Sequence, residues 1–107
     1  MNKQPQDSTD KIIVNVDIDL EDLIPGFLER RQQDLQALRT ALNQADFVQI
    51  RQLAHTLKGV GGGYGFDAIT SISQQIQLAA EKCATEEIEA LLTELDDYLE
   101  RVEVIYV

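Results

Sequence analysis

The 107-residue sequence has no tryptophan, one histidine, one cysteine, one methionine and two prolines. A lone cysteine excludes an internal disulfide, and one histidine with one cysteine cannot assemble a His/Cys zinc site. Cations are scarce: 9 Lys+Arg stand against 19 Asp+Glu, for a net charge of -10. So acidic a chain is poorly suited to nucleic-acid backbone or anionic lipid, both of which need clustered cations. No apolar run approaches the ~20 residues of a membrane span. The opening MNKQPQDSTD lacks the apolar region of a signal peptide. These absences leave a soluble, cytoplasmic domain as the expectation.

What is present is globular in composition, with 44% hydrophobic and 26% charged residues. A chain of this size buries roughly two-thirds of its unfolded surface, enough for one core. Residues 1–10 read as a disordered tail, and 11–107 as a single domain. In 11–18 (KIIVNVDI), Ile12, Val14 and Val16 alternate against Ile13, Asn15 and Asp17, which predicts a short extended arm. Asp19–Ile24 has room for one or two helical turns.

Helical spacing follows. Leu28, Leu35, Leu38, Leu42 and Ala45, interrupted by Arg31, predict a helix over 25–44 that opens on Pro25. Asp46 with Gln49 has the spacing of a capping box, ahead of Phe47, Ile50, Ala54, Leu57 and Gly61. Asp67 is expected to cap a third helix with its stripe at Ile69, Ile72, Ile76, Ala79 and Cys83. Thr85 is expected to cap a fourth, with Ile88, Leu91, Leu92, Leu95, Leu99 and Val102 inside. Four amphipathic helices on short loops imply an all-α, antiparallel up-down-up-down four-helix bundle. The alternating end, Val102–Val107, either frays from the last helix or lies beside 12–16.

Five of six glycines fall at 59, 61, 62, 63 and 65. Glycine within a helix costs about 1 kcal/mol relative to alanine, so this density needs a reason. One is a flexible turn; the other is close approach of something to the backbone. The cluster is neither a dinucleotide fingerprint nor a P-loop, since it lacks the third glycine of one and the Gly-Lys-Ser/Thr of the other. His55 precedes it, at the edge of the solvent face. Its neighbours one and two turns away are Arg51, Lys58, Gly59 and Gly62. A lone histidine is usually structural. This one stands with two cations, which can hold an anion, and two residues that leave space for an incoming group.

Ala54-His55-Thr56-Leu57-Lys58-Gly59, closed by Gly65, resembles the motif of the histidine-containing phosphotransfer (HPt) family of multistep two-component phosphorelays, and the resemblance spans about residues 20–105. Gly61-Gly62-Gly63 departs from the small polar residues that many members carry in the turn. The resemblance implies that His55 takes a phosphoryl group from a receiver-domain aspartyl phosphate and passes it to another receiver aspartate. Imidazole titrates near neutral pH, so a neutral nucleophilic nitrogen exists at pH 7. Lys58 would steady the phosphoryl oxygens, and Gly59 and Gly62 would admit the receiver's rim, with Arg51 beside them. No cofactor is implied here; Mg²⁺ is expected on the receiver. The implied partners are receiver domains and a hybrid sensor histidine kinase, and a monomer is expected.

Folding the third helix back on the second places Gln77 level with His55, either as a partner of ring or phosphoryl group or as a solvated glutamine. Tyr64 and Phe66 are expected to pack across the turn, and Cys83 to be buried. Counted along the sequence, residues 30–66 carry +3, while 1–29 carry -5 and 81–107 carry -7. Positive charge thus gathers around His55, where an acidic receiver pocket would be attracted. No ATP-binding motif is present, so the chain is read as a phosphotransfer intermediate and not an enzyme. The alternative is a helical scaffold that docks receiver or kinase domains without phosphorylation. A hydrolase or general-base catalyst built on His55 is opposed by the missing partner carboxylate.

Overall fold

The computed structural model describes residues 10–107; the tail expected over 1–10 lies almost wholly outside the described residues. Four helices dominate: α1 (Ile24–Asn43), α2 (Phe47–Gly61), α3 (Asp67–Glu81) and α4 (Thr85–Arg101). Strands β1 (Ile12–Val16) and β2 (Val102–Tyr106) flank them, and short 3-10 turns cover Ile18–Leu20 and Gly62–Tyr64. Each helix packs on two others: α1 on α2, α2 on α3, α3 on α4 and α4 on α1.

The apolar spacing puts α2, α3 and α4 into the core as expected. Ile50, Ala54, Leu57, Ile69, Ile72, Ile76, Ile88, Leu92 and Leu95 are all buried. In α1 the buried face is Ile24, Phe27, Arg31, Leu35, Leu38 and Ala41. Leu28 and Leu42 flank it half-buried, and Ala45 lies beyond the helix, exposed. Arg31 therefore continues the stripe that it seemed to break. Its Nε donates to Asp34 Oδ2 at 2.9 Å, and its guanidinium carbon stands 4.7 Å from the centre of the Phe27 ring. The charge is neutralised by one neighbour and stacked on another, which is how a cation tolerates burial.

The helix starts correct the sequence expectation in two places. Asp46 caps α2, accepting the Gln49 N–H at 3.1 Å. The return half of the box is replaced by a bond from the Asp46 N–H to the Ala41 carbonyl at 2.9 Å. Asp67 and Thr85, however, are the first helical residues; Phe66 and Ala84 hold the cap positions without side-chain bonds. Asp67, Glu86 and Glu87 instead place carboxylates in first turns, where the helix dipole favours them. Cys83 is exposed, not buried. The helix ends at Glu81, and Cys83 turns the chain with φ of 53°.

The all-α expectation is corrected by the strand pair. β1 and β2 run parallel, in register from Ile12 opposite Val102 to Val16 opposite Tyr106. A parallel pair needs a long crossover, and here all four helices supply it. Ile12, Val14, Val102, Val104 and Tyr106 rest on the core, while Ile13 and Ile105 face outward. Of the two readings of the C-terminal end, the structure selects the one beside 12–16.

Candidate functional site

His55 sits in the middle of α2, between Ala54 and Leu57, which are 0% and 2% exposed. Those anchors fix the rotation of the helix, so the imidazole is turned outward and exposed. An open depression of about 410 Å³ surrounds it, lined by Arg51, Gln52, His55, Thr56 and Gln77. Two sequence candidates, Arg51 and Gln77, are thus brought to the histidine. Gln77 reaches it from α3, as the fold-back argument anticipated.

Gln77 is the most informative wall. The residue is half-buried, and its Oε1 is shielded from solvent with no hydrogen-bond partner among the described residues. A desolvated amide oxygen in this condition costs roughly 1–3 kcal/mol. That cost is removed when a donor enters the depression or the imidazole turns an N–H towards it.

Lys58, Gly59 and Gly62 do not line this depression. Lys58 and Gly59 follow one turn on in α2, and Gly62 opens the 3-10 turn just past its end. Lys58 is half-buried, and its carbonyl accepts the Thr70 hydroxyl at 3.2 Å, tying α2 to α3 just past the histidine. Gly59 has nothing within 4 Å of where a Cβ would stand, and Gly62 only Thr70 Oγ1 at 3.9 Å. Both are exposed, so the surface beyond Lys58 is bare backbone. Gly61 faces the other way. A Cβ there would lie 2.9 Å from the Phe66 carbonyl oxygen and 3.1 Å from Ile69 Cβ, so this glycine lets α2 and α3 approach. Gly65, with φ of 91°, turns the chain into α3.

Aromatic contacts hold that turn against α1. Phe66 stacks on Phe27 with centroids 5.2 Å apart, and Tyr64 meets Phe27 edge-on at 4.8 Å. Tyr64 and Phe66 thus pack through Phe27, a residue the sequence stripe omitted. Gln52 and Thr56 were also missed. Gln52 is three residues before His55, a helical neighbour as close as Arg51. The Thr56 hydroxyl donates back to the Gln52 carbonyl at 3.2 Å.

The structure also divides the cations. Arg31 pairs with Asp34, Arg39 with Asp96 and Arg101 with Asp97. Within the positive segment 30–66, Arg30, Arg51 and Lys58 make no ion pair among the described residues, so that segment is narrower than its charge count. Two of those three share α2 with His55. Among the described residues no group of three or more His, Cys, Asp and Glu is placed to hold a metal ion. Among the described residues no helix is long and apolar enough to cross a membrane.

The family model described as Hpt domain matches residues 22–104, from just before α1 into β2. No curated protein and no solved structure matches the chain at a significant level.

Proposed function

The chain belongs to the Hpt domain family, whose members carry phosphoryl groups on histidine in phosphorelays, and from that premise we propose that His55 is the phosphorylated residue. The observation that carries the reading is an exposed imidazole on α2, inside the matched span, set in a depression with Arg51 and Gln77. In the transfer, the His55 Nε2 lone pair forms a bond to phosphorus. The aspartyl oxygen–phosphorus bond of a receiver breaks, and its electrons return to the receiver carboxylate. The reverse sequence delivers the group to a second receiver. Such chemistry asks for position and charge stabilisation more than for covalent help from the protein.

Each neighbour has a role in this reading. Gln77 Oε1 accepts the Nδ1–H, leaving Nε2 as the nucleophile, or meets a donor brought by the phosphorylated partner. Lys58 swings its ammonium towards the phosphoryl oxygens. Arg51 meets the acidic rim of the receiver, and Gly59 and Gly62 let that rim close on the helix. The receiver brings its own Mg²⁺. The chain acts as a monomeric cytoplasmic carrier between a hybrid sensor histidine kinase and response regulators, on an antiparallel up-down-up-down bundle, and catalyses nothing alone.

The test is transfer from phosphorylated receiver domains to the wild type and to His55→Gln. Wild type is expected to gain an acid-labile, base-stable phosphate, and His55→Gln none. An equal label on a folded His55→Gln would remove the histidine from the reaction.

A further inference from the structure

The strand pair leaves one long edge open. Val107 donates its N–H to the Val16 carbonyl at 2.9 Å and accepts the Ile18 N–H at 2.9 Å. In a parallel ladder a residue turns both backbone groups to one side, and its neighbours turn theirs to the other. Val107 therefore sets the phase of β2. Glu103 and Ile105 present their backbone groups to β1, while Val104 and Tyr106 present theirs to the outer edge. Among the described residues no hydrogen bond from outside the strand pair reaches that edge at Val104 or Tyr106. The outer edge of β1 is different. The Asn15 carbonyl oxygen comes within 3.5 Å of the Cβ position of Gly65, so the glycine turn crowds it.

Open edges are ordinarily blunted by lysine, proline, a bulge or a covering element. Val102–Val107 (VEVIYV) has no lysine and no proline, and its one charge is Glu103. Ile13, Ile18, Ile105 and Val107, four of the large hydrophobics left exposed among the described residues, gather on this strand pair and its margins. The surroundings are acidic: residues 81–107 carry -7. Of the acidic residues closest to the edge in sequence, Glu100 and Glu103 are exposed and make no ion pair among the described residues. A second copy of the chain would set these carboxylates against their own kind.

We propose that the outer edge of β2 receives an added strand from a partner protein, an extended segment of β-branched residues flanked by basic ones. Val104 and Tyr106 supply the main-chain bonds, Ile105 and Val107 the apolar contact, and Glu100 and Glu103 the ion pairs. Strand addition of this kind takes affinity from the backbone and selectivity from alternate side chains. No residue of β2 lines the depression at His55, and the binding does not depend on phosphate transfer.

The test uses the whole chain, isotope-labelled, with an acetylated and amidated Lys-Lys-Val-Thr-Val-Lys-Lys peptide as probe. The expected result is a shift and slowed exchange of the Val104 and Tyr106 amides, weakened by salt, with no response to the Glu-Glu-Val-Thr-Val-Glu-Glu analogue. Val104→Pro removes an outward N–H and leaves the β1 ladder intact. It should weaken binding by roughly tenfold or more. The double variant Glu100→Lys, Glu103→Lys covers the case of misfolding in the proline variant, and should exchange preference from the basic to the acidic peptide. Shifts confined to other surfaces, or binding indifferent to both variants, would overturn the proposal. So would a peptide-free dimer, seen by sedimentation, that protects the same amides, because the edge would then belong to a second copy.

Discussion

The three interhelical turns use glycine in opposite ways. Between α1 and α2, and between α3 and α4, the chain adopts left-handed backbone at Ala45 and Cys83, each with φ of 53°. Neither is glycine, although glycine is the residue such a conformation favours. From the last turn of α2 to the start of α3 five glycines crowd into seven positions, yet only Gly65 of these has positive φ and only Gly61 is pressed by a neighbouring helix. Gly59 and Gly63 stand in open space, and a Cβ at Gly62 would make only an ordinary contact with Thr70 Oγ1 at 3.9 Å. Folding does not require glycine there, and helix propensity argues against it. The difference teaches that glycine at these positions is not explained by packing within the chain; in the proposed transfer, Gly59 and Gly62 would leave room for the receiver.

That contrast can be broken by substitution. Gly61→Ala should have the largest effect. Its Cβ meets backbone and a β-branched side chain, and stability should fall by about 1–2 kcal/mol after the gain in helix propensity is set against overpacking. Urea unfolding measures this; a neutral result would mean that α2 and α3 separate freely. Cys83→Gly should move the other way, gaining about 1 kcal/mol by relieving left-handed strain. A loss there would show that the turn is held by the cysteine side chain and not merely endured.

Gly59→Ala sharpens the comparison most. Nothing meets the new methyl group, so stability should rise by about 0.5–1 kcal/mol. Transfer from a phosphorylated receiver should nevertheless slow. If stability rises and transfer is unchanged, the bare surface beyond Lys58 is not where the receiver approaches. Tyr98→Phe should have the smallest effect near neutral pH. Burial, and secondarily the Asp67 carboxylate, raise the Tyr98 phenol above its ordinary value of 10.0. The folded state thus holds this proton more tightly than the unfolded state does. The stabilisation is fully present below pH 10.0 and is lost as pH rises through the higher folded value. Thermal melts above that pH should fall more steeply for wild type than for Tyr98→Phe.

Much of the site was legible because it is local. A helix with Ala54 and Leu57 inside must turn His55 outward, and the spacing carries Arg51, Lys58, Gly59 and Gly62 along the same surface. Gln77 was reachable by one further step, the fold-back of α3. The helix starts were less legible. Asp67 and Thr85 are good capping residues, but the cap is a backbone conformation, and Phe66 and Ala84 adopt it because buried contacts fix where each turn ends. Cys83 fits the apolar step of α3 only if the helix continues, and spacing does not say that it stops at Glu81.

The amino-acid sequence by itself determined the four amphipathic helices, the outward histidine, the cation-bearing face and the strand character of both ends, because each follows from the order of residues along a few turns. Tertiary structure decided what lies far apart in the chain. It paired β1 with β2 across the whole bundle, buried Arg31 over Phe27, and separated the glycines that join helices from those that face open space. It also left Gln77 Oε1, beside His55, without a partner among the described residues. These outcomes depend on which surfaces exclude water together, and no local pattern contains that information.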